Sequence, residues 1–305
     1  MQMTHRHWRA LVHGAAIVVF ALTLDTAYAG TAPDGARIEE FTGLKGKLNE
    51  QEGVFKVTFP RGDIKASVGG VKMIPDMGLT AWVAFTRTGD HTMVMGDIVL
   101  LENEVNPVMS VALDNGLEVT ALHNHFLWES PRVMFMHIGA MGSEEKLAKS
   151  VGRVFAKLKE VIRNPPSAPT ANIDPSQTSL DPEDIEQILG SGLTGKNGVY
   201  KVVLGRTTKM DGHDMGAEMG VNTWAAFAGS EDKAAVAGDF ATVESELQGV
   251  LRALRDADIN IVSIHNHMVN ETPRYVFLHY WGIGSVEKLT KGLKAALDKQ
   301  KGNRP

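Results

Sequence analysis

One stretch of potentially reactive residues occurs twice in this chain. The first copy runs His123, Asn124, His125, Phe126, Leu127, Trp128, Glu129, Ser130, Pro131, Arg132, followed by Phe135 and His137. The second runs His265, Asn266, His267, Met268, Val269, Asn270, Glu271, Thr272, Pro273, Arg274, followed by Phe277 and His279. Each copy offers two imidazoles at alternate positions, a carboxylate in the next few residues, an arginine and a third histidine. Neutral imidazole is the commonest metal ligand and titrates near neutral pH, so this set can hold a metal ion or move a proton.

Alternate residues of a strand share a face. His123 and His125 therefore point the same way, as do His265 and His267. Each pair supplies half of a site for zinc first, copper next, or for nickel or iron. Glu129 and Glu271 lie in the loop that follows, where each can swing back as a third ligand or serve as a catalytic general base. His137 and His279 are second-tier ligands. With a tight loop, His279 falls roughly 13 Å from His265 at strand rise, and only a wider loop brings it back.

In an unbroken strand Leu117, Val119 and Ala121 lie on the histidines' side, as do Ile259, Ile261 and Ser263. The histidine pairs are thus expected to continue the covered face. A structural reading stands beside the functional one: histidine to carboxylate and arginine to backbone can satisfy a hairpin without any ligand. Paired imidazoles on a buried face are costly without partners, which favours a site. Arg132, Arg274, Pro131 and Pro273 are expected to be structural. So are Trp82, Trp224, Phe85 and Phe227, as core, and Met73, Met77, Met215 and Met219, as packing rather than Cu(I) ligands. Asp97, Asp239, Glu102, Glu244, Glu104 and Glu246 flank a strand-to-helix turn, where acids favour the helix start.

The elements that must position these residues are duplicated as well. From Gly78 onward the copies align without a gap at a shift of 142, as in Trp82 and Trp224 or His123 and His265. A repeat of this length predicts two tandem homologous domains rather than a solenoid. Residues 30–163 form the first and 181–305 the second, joined by a Pro-, Ser- and Thr-rich linker over 164–180. Asp181 and Pro182 read as the cap and first turn of a helix. Hydrophobic periodicity in each copy gives the core order β-β-α-β-β-α. That order predicts an α+β fold, each domain an antiparallel-rich sheet with helices on one face.

The 305 residues carry a formal charge of −5 and no cysteine. The charge argues against a nucleic-acid partner, and the missing thiols exclude disulfides and thiolate metal sites. Residues 1–29 read as a signal peptide: Arg6 and Arg9, an apolar run, then Ala27, Tyr28 and Ala29 as the cleavage site. The mature chain is expected to be periplasmic or secreted, with no transmembrane segment and a small ligand or envelope component as partner. Gly190 to Asn197 nearly spells a phosphate loop, but lacks the final Ser or Thr and follows a helix, so it is set aside. The His-Asn-His triplet alone does not make a nuclease motif.

His-Asn-His, Glu-x-Pro-Arg, Phe-x-His and a downstream Gly-Ser, each present twice, resemble the LppY/LpqO-type family of exported bacterial proteins. The resemblance covers nearly the whole mature chain. It implies export and duplication, and no established activity. The family's namesakes look like lipoproteins anchored through a cysteine, which this chain lacks. Three functions are compatible with the sequence: a metal or polar-ligand binder, a metal-dependent hydrolase-like enzyme of the envelope, and a non-catalytic envelope module.

Overall fold

The computed structural model describes residues 32–300, so the expected signal peptide lies outside the described residues. The first copy comprises α1 (Gly35–Thr42), β1 (Gly46–Asn49), β2 (Val54–Pro60), β3 (Ser67–Val68), β4 (Val71–Lys72), β5 (Thr80–Thr88), β6 (His91–Leu101), α2 (Glu102–Asp114), β7 (Glu118–Asn124), β8 (Glu129–Ser130), β9 (Val133–Gly142) and α3 (Glu144–Arg163). The second comprises α4 (Pro182–Leu189), β10 (Thr194–Lys196), β11 (Val199–Gly205), β12 (Thr208–Met210), β13 (His213–Met215), β14 (Asn222–Gly229), β15 (Ala234–Val243), α5 (Glu244–Asp256), β16 (Asn260–His265), β17 (Glu271–Thr272), β18 (Tyr275–Gly284) and α6 (Val286–Leu297). Asp181 caps α4 as its sequence predicts, accepting from the Glu183 N–H at 2.9 Å, with Pro182 in the first turn.

The two copies do not build separate sheets. One 12-stranded sheet runs β1-β2-β5-β6-β9-β7-β16-β18-β15-β14-β11-β10. The halves meet at β7 and β16, which are antiparallel, with Leu122 opposite Ile264. These residues are equivalent under the 142 shift, so an approximate two-fold axis passes between them. β8 and β17 leave the main sheet and complete two small three-stranded sheets, β4-β3-β8 and β13-β12-β17.

Side-chain amides bridge the rest of the junction. The Val119 N–H donates to Gln248 Oε1 at 3.0 Å, and Gln248 Nε2 donates to the Val119 carbonyl at 2.9 Å. The symmetric pair is Asn106 with Ile261, at 2.8 Å and 3.1 Å. Each amide offers one donor and one acceptor, so it replaces the strand partner that these backbone groups would otherwise lack. Asn106 lies on α2 and Gln248 on α5, two helices that also pack on each other. The same helix layer continues outward, with α3 and α1 beyond α2, and α6 and α4 beyond α5.

Core residues alternate with site residues along the central strands. Ile98, Leu122, Met136 and Ile138 are fully or almost fully buried in the main apolar cluster. Asp97, His123 and His137 occupy the intervening positions and point to the other face. Burying the first set removes several large aliphatic side chains from water, at roughly 1.5–3 kcal/mol each. That contribution fixes which face the second set must take.

Candidate functional site

A β-bulge decides where the histidines point. In β7 the pairing with β9 shifts between Val119 and Ala121, leaving Thr120 as an extra residue. Val119 faces Ile138 and Leu122 faces Met136, both on the core side, so Ala121 and His123 take the other side. β16 shifts likewise between Ile261 and Ser263. The expectation that the histidines continue the covered face of Val119 and Ile261 is therefore corrected. Unbroken alternation put them inward, and one inserted residue turns them outward.

On that outer face the three histidines of the first copy converge. His123 lies opposite Phe135, which sets His137 diagonally across from it, and His137 is opposite Asp97 on β6. His137 Nε2 and His123 Nε2 are 3.0 Å apart. One of them donates a proton to the other, or both lone pairs face a single cation. His125 leaves the strand end and stacks on the Phe135 ring, centroids 3.3 Å apart and planes within 6°. One ligand atom from each of His123, His125 and His137 lies within 4.8 Å of the others. The wide loop over residues 125–132 places His137 beside His123, so the estimate that kept it about 13 Å away is corrected.

A carboxylate beside the imidazoles is that of Asp97, whose place in the sequence marks it as a helix-flanking acid. Its Oδ2 is 3.9 Å from His125 Nε2, while Oδ1 is buried with no hydrogen-bond partner. Burial pushes its pKa up, and the charges of His137, His125 and His123 oppose that shift. Burial likewise lowers the pKa of His125. A lowered pKa keeps the imidazole neutral, with its lone pair available to a metal, at neutral pH.

The second copy repeats the placement of the residues, but among the described residues only the first copy brings one ligand atom from each of its three histidines within 4.8 Å of the others. His279 is opposite Asp239, and His265 is opposite Phe277. Ring centroids of His265 lie 5.1 Å from His267 and 5.0 Å from His279. His267 stacks on Phe277 at 3.5 Å, and its Nε2 is 3.6 Å from Asp239 Oδ2. Asp239 Oδ1 and His265 Nδ1 are both buried without partners. Burial pushes the Asp239 pKa up to about 6, against the pull of His279, and lowers those of His265 and His267.

Glu129 and Glu271, the expected bases, do not join these clusters. Glu129 sits on β8, paired with Val68, and Glu271 on β17, paired with Met210. Glu271 is buried and accepts from the Tyr275 N–H at 3.0 Å. Both carboxylates therefore belong to the small sheets beside the site. Arg132 and Arg274 reach Glu102 and Glu244 in exposed pairs at 3.7 and 3.6 Å.

Glu104 and Glu246 do cap their helices, accepting from the Leu101 and Val243 N–H groups at 2.8 and 3.2 Å. They also hold guanidinium groups that the sequence reading missed. Buried Arg61 makes two bonds to Glu104, at 2.8 and 2.9 Å, and one to the Val99 carbonyl at 2.6 Å. Arg206 makes the corresponding pair with Glu246 at 2.7 and 3.2 Å. These ion pairs anchor the ends of β6 and β15, two residues beyond the last site-facing position.

Phe85 and Phe227 are core as expected, but Trp82 and Trp224 are half-buried. Each lies opposite a site aspartate, with Lys56 or Lys201 over its ring at 4.6 and 4.5 Å. Met73 and Met215 are buried, whereas Met77 and Met219 are exposed. A large open groove, about 620 Å³, lies elsewhere, between the α2–β7 turn and the start of α3. It contains none of the histidines.

The donor set fits a borderline metal such as zinc or copper: three imidazoles and one carboxylate, without thiolate. Tetrahedral zinc with ~2.05 Å bonds needs ligand nitrogens ~3.4 Å apart. The first cluster's closest pair is 3.0 Å apart and its three ligand atoms stay within 4.8 Å of one another, a range that brackets that spacing.

Residues 36–157 and 183–299 each match the model of a family described as Domain of Unknown Function (DUF1259), and the chain belongs to that family. No functionally curated protein matches the chain. Among solved structures, a trimeric bacterial microcompartment shell protein, PduB, is matched at 9% identity over 83% of this chain and 89% of that chain. The TM-score is 0.19.

Proposed function

We propose that this member of a family of unknown function is an exported protein that binds a divalent transition metal, zinc first and copper next. His123, His125 and His137 are the ligands, with Asp97 as a fourth ligand or as the charge that neutralises the ion. The observation that carries this is the convergence of the three imidazoles beside Asp97, whose Oδ2 is 3.9 Å from His125 Nε2 and whose Oδ1 is buried without a partner. A buried, unsatisfied carboxylate oxygen costs about 1–3 kcal/mol or more, and a cation removes that cost. Export rests on residues 1–29, and the motifs favour placing the chain among the LppY/LpqO-type exported proteins. Among the described residues no helix is long and apolar enough to cross a membrane.

A helix layer over one face of the sheet leaves the histidine face for the ligand. The hydrolase-like alternative needs Glu129 or Glu271 beside the ion as base; Glu271 is held by the Tyr275 N–H and Glu129 lies on a strand of a small sheet, which favours a binder. The test is elemental analysis and zinc titration calorimetry on tag-free full chain purified without chelator. Bound metal, or a zinc site of micromolar or tighter affinity that disappears in a His123→Ala, His137→Ala double variant, is the expected result. Absence of both metal and measurable affinity refutes the reading.

A further inference from the structure

The two clusters are neighbours on one surface. Leu122 pairs with Ile264 across the junction. One residue either way, the antiparallel register sets Ala121 opposite His265 and Ser263 opposite His123. One row across the site face therefore reads Asp97, His137, Ala121, His265, Phe277. The adjacent row reads Phe135, His123, Ser263, His279, Asp239. The second row is the first reversed, as the two-fold axis requires.

His123 and His265 are thus diagonal neighbours, with Cα atoms about 7–8 Å apart. The first cluster centres over β7 and β9 and the second over β16 and β18, two strand spacings away, or about 10 Å. Ala121 and Ser263 form the floor between them, so no bulky side chain separates the clusters. Each cluster keeps its own aspartate at the outer end of its row, with an oxygen buried and unpartnered in both. The duplicated aspartates give each cluster a separate countercharge.

We propose that the clusters form one paired site holding two transition-metal ions about 10 Å apart across the two-fold axis, one per copy; this rests on the metal-binding reading above. The spacing exceeds the roughly 3.5–4 Å of two-metal hydrolytic centres, so the ions share no bridging ligand and each is bound by its own histidines and aspartate. The second ion is held by His265, His267 and His279 with Asp239. The shared surface suits a carrier of two ions, or of one ligand that spans both.

Copper(II) added to tag-free, metal-free full chain is the probe, followed by stoichiometry and low-temperature electron paramagnetic resonance. Two ions per chain are expected, with dipolar broadening characteristic of a separation near 10 Å. A His125→Ala, His137→Ala variant and a His267→Ala, His279→Ala variant should each bind one ion and lose the broadening. Should either variant lose its fold by circular dichroism, His137→Gln and His279→Gln replace them, and the wild-type spectrum stands without any variant. Two ions without dipolar broadening, or loss of all copper in either variant, overturns the pairing while leaving metal binding intact. Wild-type protein that takes up no copper and no zinc overturns both proposals.

Discussion

Leu122 and Ile264, equivalent residues of the two copies, are opposite each other at the centre of a single sheet. Two copies of one sequence have therefore paired through the same strand of each. The arrangement is that of an isologous dimer interface joined into one chain. It places both histidine sets on one surface and makes the junction itself part of the site's scaffold.

The first consequence concerns the junction. Asn106 and Gln248 each satisfy both the N–H and the carbonyl of a strand residue from the other copy. Asn106→Leu or Gln248→Leu should each cost about 2–4 kcal/mol, because two part-buried backbone groups lose their partners. Urea denaturation checks this. A double-mutant cycle between the two positions should show little coupling, since they satisfy different strands.

Arg61 gives the largest single stability effect. Its guanidinium is fully buried against Glu104 and the Val99 carbonyl. Arg61→Ala strands a buried carboxylate and leaves Asp63 unpaired, and should cost about 3–5 kcal/mol, whereas Arg61→Met with Glu104→Gln, which keeps an acceptor for the Leu101 N–H, should recover part of that loss. Chemical denaturation of the two variants decides between them. Equal losses in both would show that the ion pair does not set the cost.

Glu129→Gln and Glu271→Gln separate the sequence expectation from the structure. Neither should change metal stoichiometry or affinity by more than about twofold, or 0.4 kcal/mol. Asp97→Asn should weaken the first site by tenfold or more. Zinc calorimetry reads both, and a Glu129 effect equal to that of Asp97 would restore the loop carboxylate as a ligand.

Asp239 gives a pH prediction with a definite sign. Its folded pKa is pushed up to about 6, above the unfolded value of about 3.9. The folded state therefore holds this proton more tightly than the unfolded chain. The associated stabilisation is full below about pH 4 and is lost as pH rises through about 6. In chelator, Asp239→Asn should be more stable than wild type above pH 6, by up to roughly 3 kcal/mol, with the gain vanishing near pH 4. His265 and His267, with lowered values, act the other way, losing stability as pH falls below the ordinary histidine range. Thermal melts of the variant and wild type at matched pH read the aspartate together with its coupling to His279 and His267. With metal present the order should reverse at neutral pH, since the ion favours the charged carboxylate.

Much of this was legible in the residues alone. The repeat, its 142 shift, the helix start at Asp181, the caps at Glu104 and Glu246, and the histidines as the set to watch all follow from local pattern. Each rests on spacing within one element or on identity between copies, which need no partner strand to be read. The face the histidines take, the closeness of His137 to His123, the position of Asp97 beside them, and the merging of two sheets were decided by tertiary structure. A single bulge residue at Thr120 reverses the parity of everything after it. Register with β6 brings Asp97, a residue 26 positions before His123, beside His137. Side-chain amides from the opposite copy hold the bulged strands in place. Those are pairings between distant segments, and no periodicity within a segment encodes them.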